Sequence, residues 1–89
     1  MLNTKAMTAK DWYDRGNESK RSGDHTAALD YYKQSIKLNP KVAAPWIAIA
    51  KLLDSNSQFE EARQCFMHAV VADPNYLMAR QMLAVTANI

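Results

Sequence analysis

Apolar residues return along this chain at helical spacing, and the spacing itself returns every 34 residues. Trp46, Ile49, Ala50 and Leu53 fall at i, i+3, i+4 and i+7, the stripe one helix face presents to a core. Ala28, Tyr31, Tyr32, Ser35 and Ile36 form a second stripe, and Ala62, Cys65, Phe66, Ala69 and Val70 repeat it 34 positions later. Trp12 stands 34 residues before Trp46, and Pro40 the same distance before Pro74. No apolar–polar alternation runs far enough to argue for strands. A fixed period of this length marks stacked helical hairpins.

Punctuation divides the chain into five predicted helices of about 12 to 15 residues, the usual globular length. They are expected over 8–22, 25–38, 44–55, 58–72 and 75–87. Ser22-Gly23-Asp24, Asn39-Pro40-Lys41, Ser55-Asn56-Ser57-Gln58 and Asp73-Pro74-Asn75 separate them. Thr8 with Asp11, and Ser57 with Glu60, have the spacing of capping boxes. Asp24 suits the cap of the second helix. Gly23 can end the first in the left-handed conformation; in the second repeat Asn56 or Ser57 must do so, with Asn56 the better candidate. Pro45 fits only a first turn, so the third helix is expected to begin near Ala44. Gly16, Ala28, Ala50, Ala62 and Ala84 allow close backbone approach, while the aromatic residues fill what remains.

These positions resemble the tetratricopeptide repeat family. That repeat carries a Trp and a small residue on its first helix, then Ala, an aromatic and a small residue on its second, and a closing Pro. Trp46, Ile49-Ala50, Leu53, Ala62, Phe66, Ala69 and Pro74 match in one repeat; Trp12, Gly16, Ala28, Tyr32, Ser35 and Pro40 match in the other. Leu83 and Ala84 mark a further first helix. Arg15, Ser19 and Arg80 depart from the pattern, which implies exposed ends. The resemblance covers about residues 9–87. It implies an all-α, right-handed α-solenoid of five helices in a single domain: repeat one over 9–42, repeat two over 43–76, and a capping helix over 77–89. It also implies a concave face, built mainly from first helices, that binds a peptide or a partner protein.

On helical spacing the concave positions are Lys10, Tyr13, Asn17 and Lys20 in repeat one. In repeat two they are Ala44, Ile47, Ala48, Lys51 and Asp54, and in the last helix Met78, Gln81, Met82 and Val85. Lys10, Asn17 and Lys51 suit an acidic or C-terminal carboxylate group, and the methionines suit apolar groups of varied shape. One subclass of the family clamps the acidic C-terminus of heat-shock chaperones with Lys, Asn and Arg. Asn17 matches its first Asn, but Tyr13, Ala48, Met78 and Met82 cannot serve the remaining roles. Met78, Met82, Val85 and Ile89 offer an alternative seam for a homodimer.

The other chemistry is sparse. Eleven Lys and Arg against nine Asp and Glu give a net charge of +2, far from the basic excess of a nucleic-acid binder. Lys10, Lys20, Arg21, Lys51 and Tyr13 leave weak RNA binding as a second alternative, opposed by the interleaved Asp14, Glu18 and Asp54. His25, placed in a turn, and His68, on a helix surface, belong to different repeats, so no metal site is expected. Cys65 on an apolar stripe reads as packing, and the single thiol excludes an internal disulfide. Glu60-Glu61 complement a helix N-terminus rather than form an acid–base pair. The expectation is a non-enzymatic, cofactor-free scaffold or adaptor in the cytoplasm, with no membrane span or signal peptide.

Overall fold

A computed structural model describes residues 6–76, with 80, 81 and 84. Among these residues the chain is all-helical, with four helices against the five expected: α1 (Ala9–Arg21), α2 (His25–Leu38), α3 (Ala43–Ser55) and α4 (Phe59–Ala72). The expected helix over 75–87 lies largely outside the described residues. Pro74 and Asn75 form a turn and Tyr76 is not helical, which corrects its proposed start; Arg80, Gln81 and Ala84 are helical.

Local chemistry sets the ends. Thr8 caps α1 in a full capping box: its side chain accepts from Asp11 N at 3.1 Å, and Asp11 Oδ2 accepts from Thr8 N at 2.8 Å. Asp24 caps α2, accepting from Ala27 N at 3.0 Å. His25 is therefore the first residue of α2, not part of the turn. The second predicted capping box does not form. Gln58, without a side-chain cap bond, precedes α4, and Ser57 instead turns the chain at φ 62°. Gly23, 34 residues earlier, does the same at φ 87°. Asn56, expected in that conformation, keeps φ at −95°. Pro45 sits in the first turn of α3, as its missing N–H requires.

Each helix packs on its successor: α1 on α2, α2 on α3 and α3 on α4. Two core clusters result. Ala28, Tyr32, Ala48, Ile49, Leu53 and Ala62 form the first; Ala43, Ile47, Ala50, Phe66 and Ala69 form the second, and Cys65 touches both. Tyr32 and Phe66 hold equivalent places in the two repeats and are both fully buried. Ser35, also buried, donates from Oγ to Ala9 O at 2.7 Å, tying the start of α1 to α2. Trp46 donates from its indole nitrogen to Pro40 O at 2.9 Å, fixing the turn between the repeats.

Candidate functional site

Residues of the first turns of α1 and α3 line a cavity of about 330 Å³, together with Ser35 and Asn39. Ala9, Lys10, Tyr13 and Asp14 line it from α1, with Val42, Ala44 and Pro45 across from them. Lys10 is exposed, and its ammonium donates to Asp14 Oδ2 at 2.7 Å, one helical turn on. That hydrogen bond, with the Asp14 charge, holds the Lys10 pKa above its ordinary value. Tyr13 is half-buried: its ring packs on that of Tyr32, centroids 5.7 Å apart, and one edge reaches the cavity.

Asn17 lies one turn beyond Tyr13 on the same face of α1. The Tyr32 hydroxyl donates to Asn17 Oδ1 at 2.6 Å across the α1–α2 interface. Burial raises the Tyr32 pKa, with a smaller raising effect from Tyr13 and an opposing one from the Arg21 charge. The hydroxyl therefore stays protonated and remains a donor at neutral pH. Arg21 stands four residues after Asn17, so the α1 face ends in a second cation beside Lys20. Sequence reasoning left Arg21 out of the groove, although its i+4 relation to Asn17 was a usable signal.

In repeat two the expected face is only partly present. Lys51 is exposed and Ala44 half-buried, but Ile47, expected in the groove, is 4% exposed and belongs to the second core cluster. Ala48 is likewise buried in the first cluster. α3 packs against both α2 and α4, so more of its circumference is covered than that of α1. Gln81 is exposed, while Met78, Met82, Val85 and Ile89 lie outside the described residues.

Two further features compete with this face. A hollow of about 460 Å³ opens between α2, α3 and α4, lined by Lys33, Ile36, Trp46, Cys65 and His68 among others. There His68 stacks on Trp46 with ring centroids 4.5 Å apart. Cys65 is half-buried, and burial, aided by Glu61 and opposed by Lys33, pushes its thiol pKa up. A raised pKa opposes nucleophilic use of the sulfur. The second feature is an apolar strip on α4, where Phe59, Met67 and Val71 are 53%, 46% and 79% exposed. Repeat one carries His25, Lys33 and Lys37 at the equivalent places. Among the described residues no three His, Cys, Asp or Glu side chains converge to hold a metal ion, and no helix is long and apolar enough to cross a membrane.

Comparison with known proteins agrees with this architecture. A family model described as tetratricopeptide repeat matches residues 21–85. An uncharacterized protein of Methanocaldococcus jannaschii is 34% identical over 65 residues, covering 73% of this chain and 76% of that protein. A TPR repeat-containing thioredoxin of Arabidopsis thaliana is 36% identical over 69 residues, 78% of this chain. A UDP-N-acetylglucosamine–peptide N-acetylglucosaminyltransferase of Giardia intestinalis is 30% identical over 84 residues, 86% of this chain. The chain spans only 10% and 6% of those last two proteins.

Proposed function

Because the chain belongs to the tetratricopeptide repeat family, whose repeats generally mediate protein–protein interactions, we propose that it is a non-catalytic module holding a peptide or partner-protein segment along the α1 and α3 face. In this reading 9–42 and 43–76 are two repeats of one right-handed solenoid domain. The observation that carries it is the apolar cavity lined by Tyr13, Val42, Ala44 and Pro45 among others, with Asn17, Lys20 and Arg21 further along α1. An apolar floor beside a few polar groups suits a ligand that needs both burial and orientation. The cations favour a segment with an acidic side chain or a terminal carboxylate. Lys10, Tyr13, Asn17, Lys20 and Lys51 form the proposed contact set, with Met78 and Met82 as its proposed extension. A single cysteine, with no second one to pair with, fits a reducing, cytoplasmic setting.

The test is charge reversal at exposed sites. Lys10→Glu, Lys20→Glu and Lys51→Glu are expected to keep the helical circular-dichroism spectrum and melting temperature while weakening capture of the native partner. Tyr13→Ala is a poorer probe, since it also removes packing on Tyr32. Three folded variants that bind the partner as the wild type does would reject this face.

A second reading is favoured by the strip of Phe59, Met67 and Val71. Apolar exposure at positions that are polar in repeat one fits self-association through α4, alone or with Met78, Met82, Val85 and Ile89. Sedimentation of wild type beside Val71→Lys decides it: self-association predicts a dimer that the variant abolishes, and a monomeric wild type ends the idea.

A further inference from the structure

We propose that the chain carries a second docking site, a trough between α2 and α4 that receives an amphipathic helix of a partner protein with an acidic flank. The site is separate from the α1 and α3 face, and no residue of α1 lines it. It joins the hollow of about 460 Å³ described above to a neighbouring one of about 330 Å³. Leu29, Leu53 and Gln58 line both, so the two are continuous.

Helical spacing builds both walls. His25, Leu29, Lys33 and Ile36 make one face of α2, and Gln58, Glu61, Cys65 and His68 run along the start and one face of α4. Both helices pack on α3 and make little contact with each other. Trp46, Ile49 and Leu53 of α3 are therefore left as the floor. The two repeats differ beside the tryptophan. Tyr31 stands in repeat one where Cys65 stands in repeat two, and its ring stacks on Trp12 with centroids 5.8 Å apart. A thiol in that place leaves open the room that a phenol ring would fill.

The dimensions select the conformation of the occupant. Thr26 lines only the smaller hollow and Lys33 only the larger, which centres the two about seven residues, or ~10 Å, apart along α2. A helix laid in the trough carries side chains at i and i+7 on one face with that separation. An extended chain offers side chains on one face about 7 or 13 Å apart, and neither fits. The anchors are apolar, because the indole nitrogen of Trp46 already donates to Pro40 O and its ring offers only carbon. Apolar anchors at this spacing are how an amphipathic helix seats in a groove.

Charge selects the flank. Lys33, exposed on the α2 wall, makes no ion pair among the described residues, and Lys37 follows one turn later. On the other wall Glu61 already accepts from Gln58 Nε2 at 3.1 Å. An incoming helix thus gains most from carboxylates on the side toward α2. A second copy of this chain fits poorly. Phe59 and Met67 of its exposed strip are eight residues apart, and Arg63 between them repeats the charge of Lys33.

The probe is a display library of helix-forming peptides with leucine fixed at two positions seven apart and the flanking positions varied. Peptides selected on the wild-type protein are expected to carry Asp or Glu along one flank. The best is synthesised beside a version with those acids changed to Lys. Binding is followed by Trp46 emission in a Trp12→Phe background, where Trp46 is the remaining tryptophan, and by ¹⁵N–¹H shifts. Shifts are expected on Leu29, Lys33, Cys65 and His68. Lys33→Glu, at an exposed site, should keep the fold and weaken the acidic peptide about fivefold. The Lys version should prefer Lys33→Glu to wild type, which a merely structural effect of the substitution would not produce. His68→Ala, also exposed, should weaken both peptides by removing part of the Trp46 wall.

A library that yields no binder, or binders whose shifts lie off α2 and α4, overturns the trough and leaves the α1 and α3 face untouched. Binding in the trough with Lys33→Glu indifferent to peptide charge overturns the acidic flank. A wild-type protein that sediments as a dimer and becomes monomeric in Lys33→Glu identifies the occupant as a second copy and overturns the partner helix.

Discussion

The ring of Tyr32 occupies the space a side chain at Gly16 would need. A Cβ placed on Gly16 would lie 2.5 Å from Tyr32 Cε1 and 2.6 Å from Cδ1, closer than real carbon contacts. The ring cannot retreat, because it is fully buried and its hydroxyl is tied to Asn17. Ala50 and Phe66 hold the matching places in repeat two, where a methyl group is accommodated and the hydroxyl is absent. Close approach of α1 and α2 therefore depends on a glycine that the second hairpin does without.

Gly16→Ala is accordingly expected to destabilise the domain, although alanine favours helices by about 1 kcal/mol over glycine. Overpacking costs about 1–3 kcal/mol, so the net loss is up to about 2 kcal/mol. In a domain of this size that lowers the melting temperature by about 4–8 °C for each kcal/mol. Thermal melts followed by circular dichroism check it, and a variant about 1 kcal/mol more stable than wild type would show that the two helices move apart at no cost.

Ser57→Gly should act in the opposite direction. Ser57 holds φ 62°, a conformation that costs a residue with a Cβ about 1–2 kcal/mol. Glycine removes that cost and gives back part of it through greater freedom in the unfolded chain. A gain of about 0.5 kcal/mol, or roughly 2–4 °C, is expected. Gly23→Ser, at the equivalent turn with φ 87°, should lose stability.

Alkaline pH should weaken the fold through Cys65 and Tyr32. Burial raises both pKa values, so the folded state favours the neutral forms. Their contribution is fully present below the unfolded values, about 8.5 for Cys and about 10 for Tyr, and is lost as pH rises through the higher folded values. Urea denaturation should show stability independent of these groups from about pH 6 to 8 and declining above about 9. Cys65→Ala should remove the earlier part of that decline. Iodoacetamide should also modify native Cys65 more slowly than a cysteine in an unstructured peptide.

The period made the scaffold legible, because equivalent core positions face equivalent neighbours. Ala28, Tyr32 and Ser35, and Ala62, Phe66 and Ala69, were read from spacing and are all buried. Groove positions were harder to read, because exposure depends on how many helices surround a given face. Ile47 matches Tyr13 in register, yet α3 lies between two described neighbours and buries Ile47, while Tyr13 on α1 stays half-exposed. Of the two candidates for the left-handed turn, propensity favours Asn56, whereas register with Gly23 favours Ser57, the residue that takes it. The bond from Tyr32 to Asn17 joins residues 15 apart, on different helices. No local pattern encodes it, although the matched change to Phe66 and Lys51 was visible in the sequence.

The groove is tested most directly by ¹⁵N–¹H shift mapping with a phage-display peptide selected on the wild-type protein. The account predicts that the largest shifts fall on Lys10, Tyr13, Asn17, Lys20, Ala44 and Lys51, and that binding weakens in Lys20→Glu. Shifts concentrated on Lys33, Cys65 and His68, or along Phe59, Met67 and Val71, with Lys20→Glu binding as wild type, would contradict it.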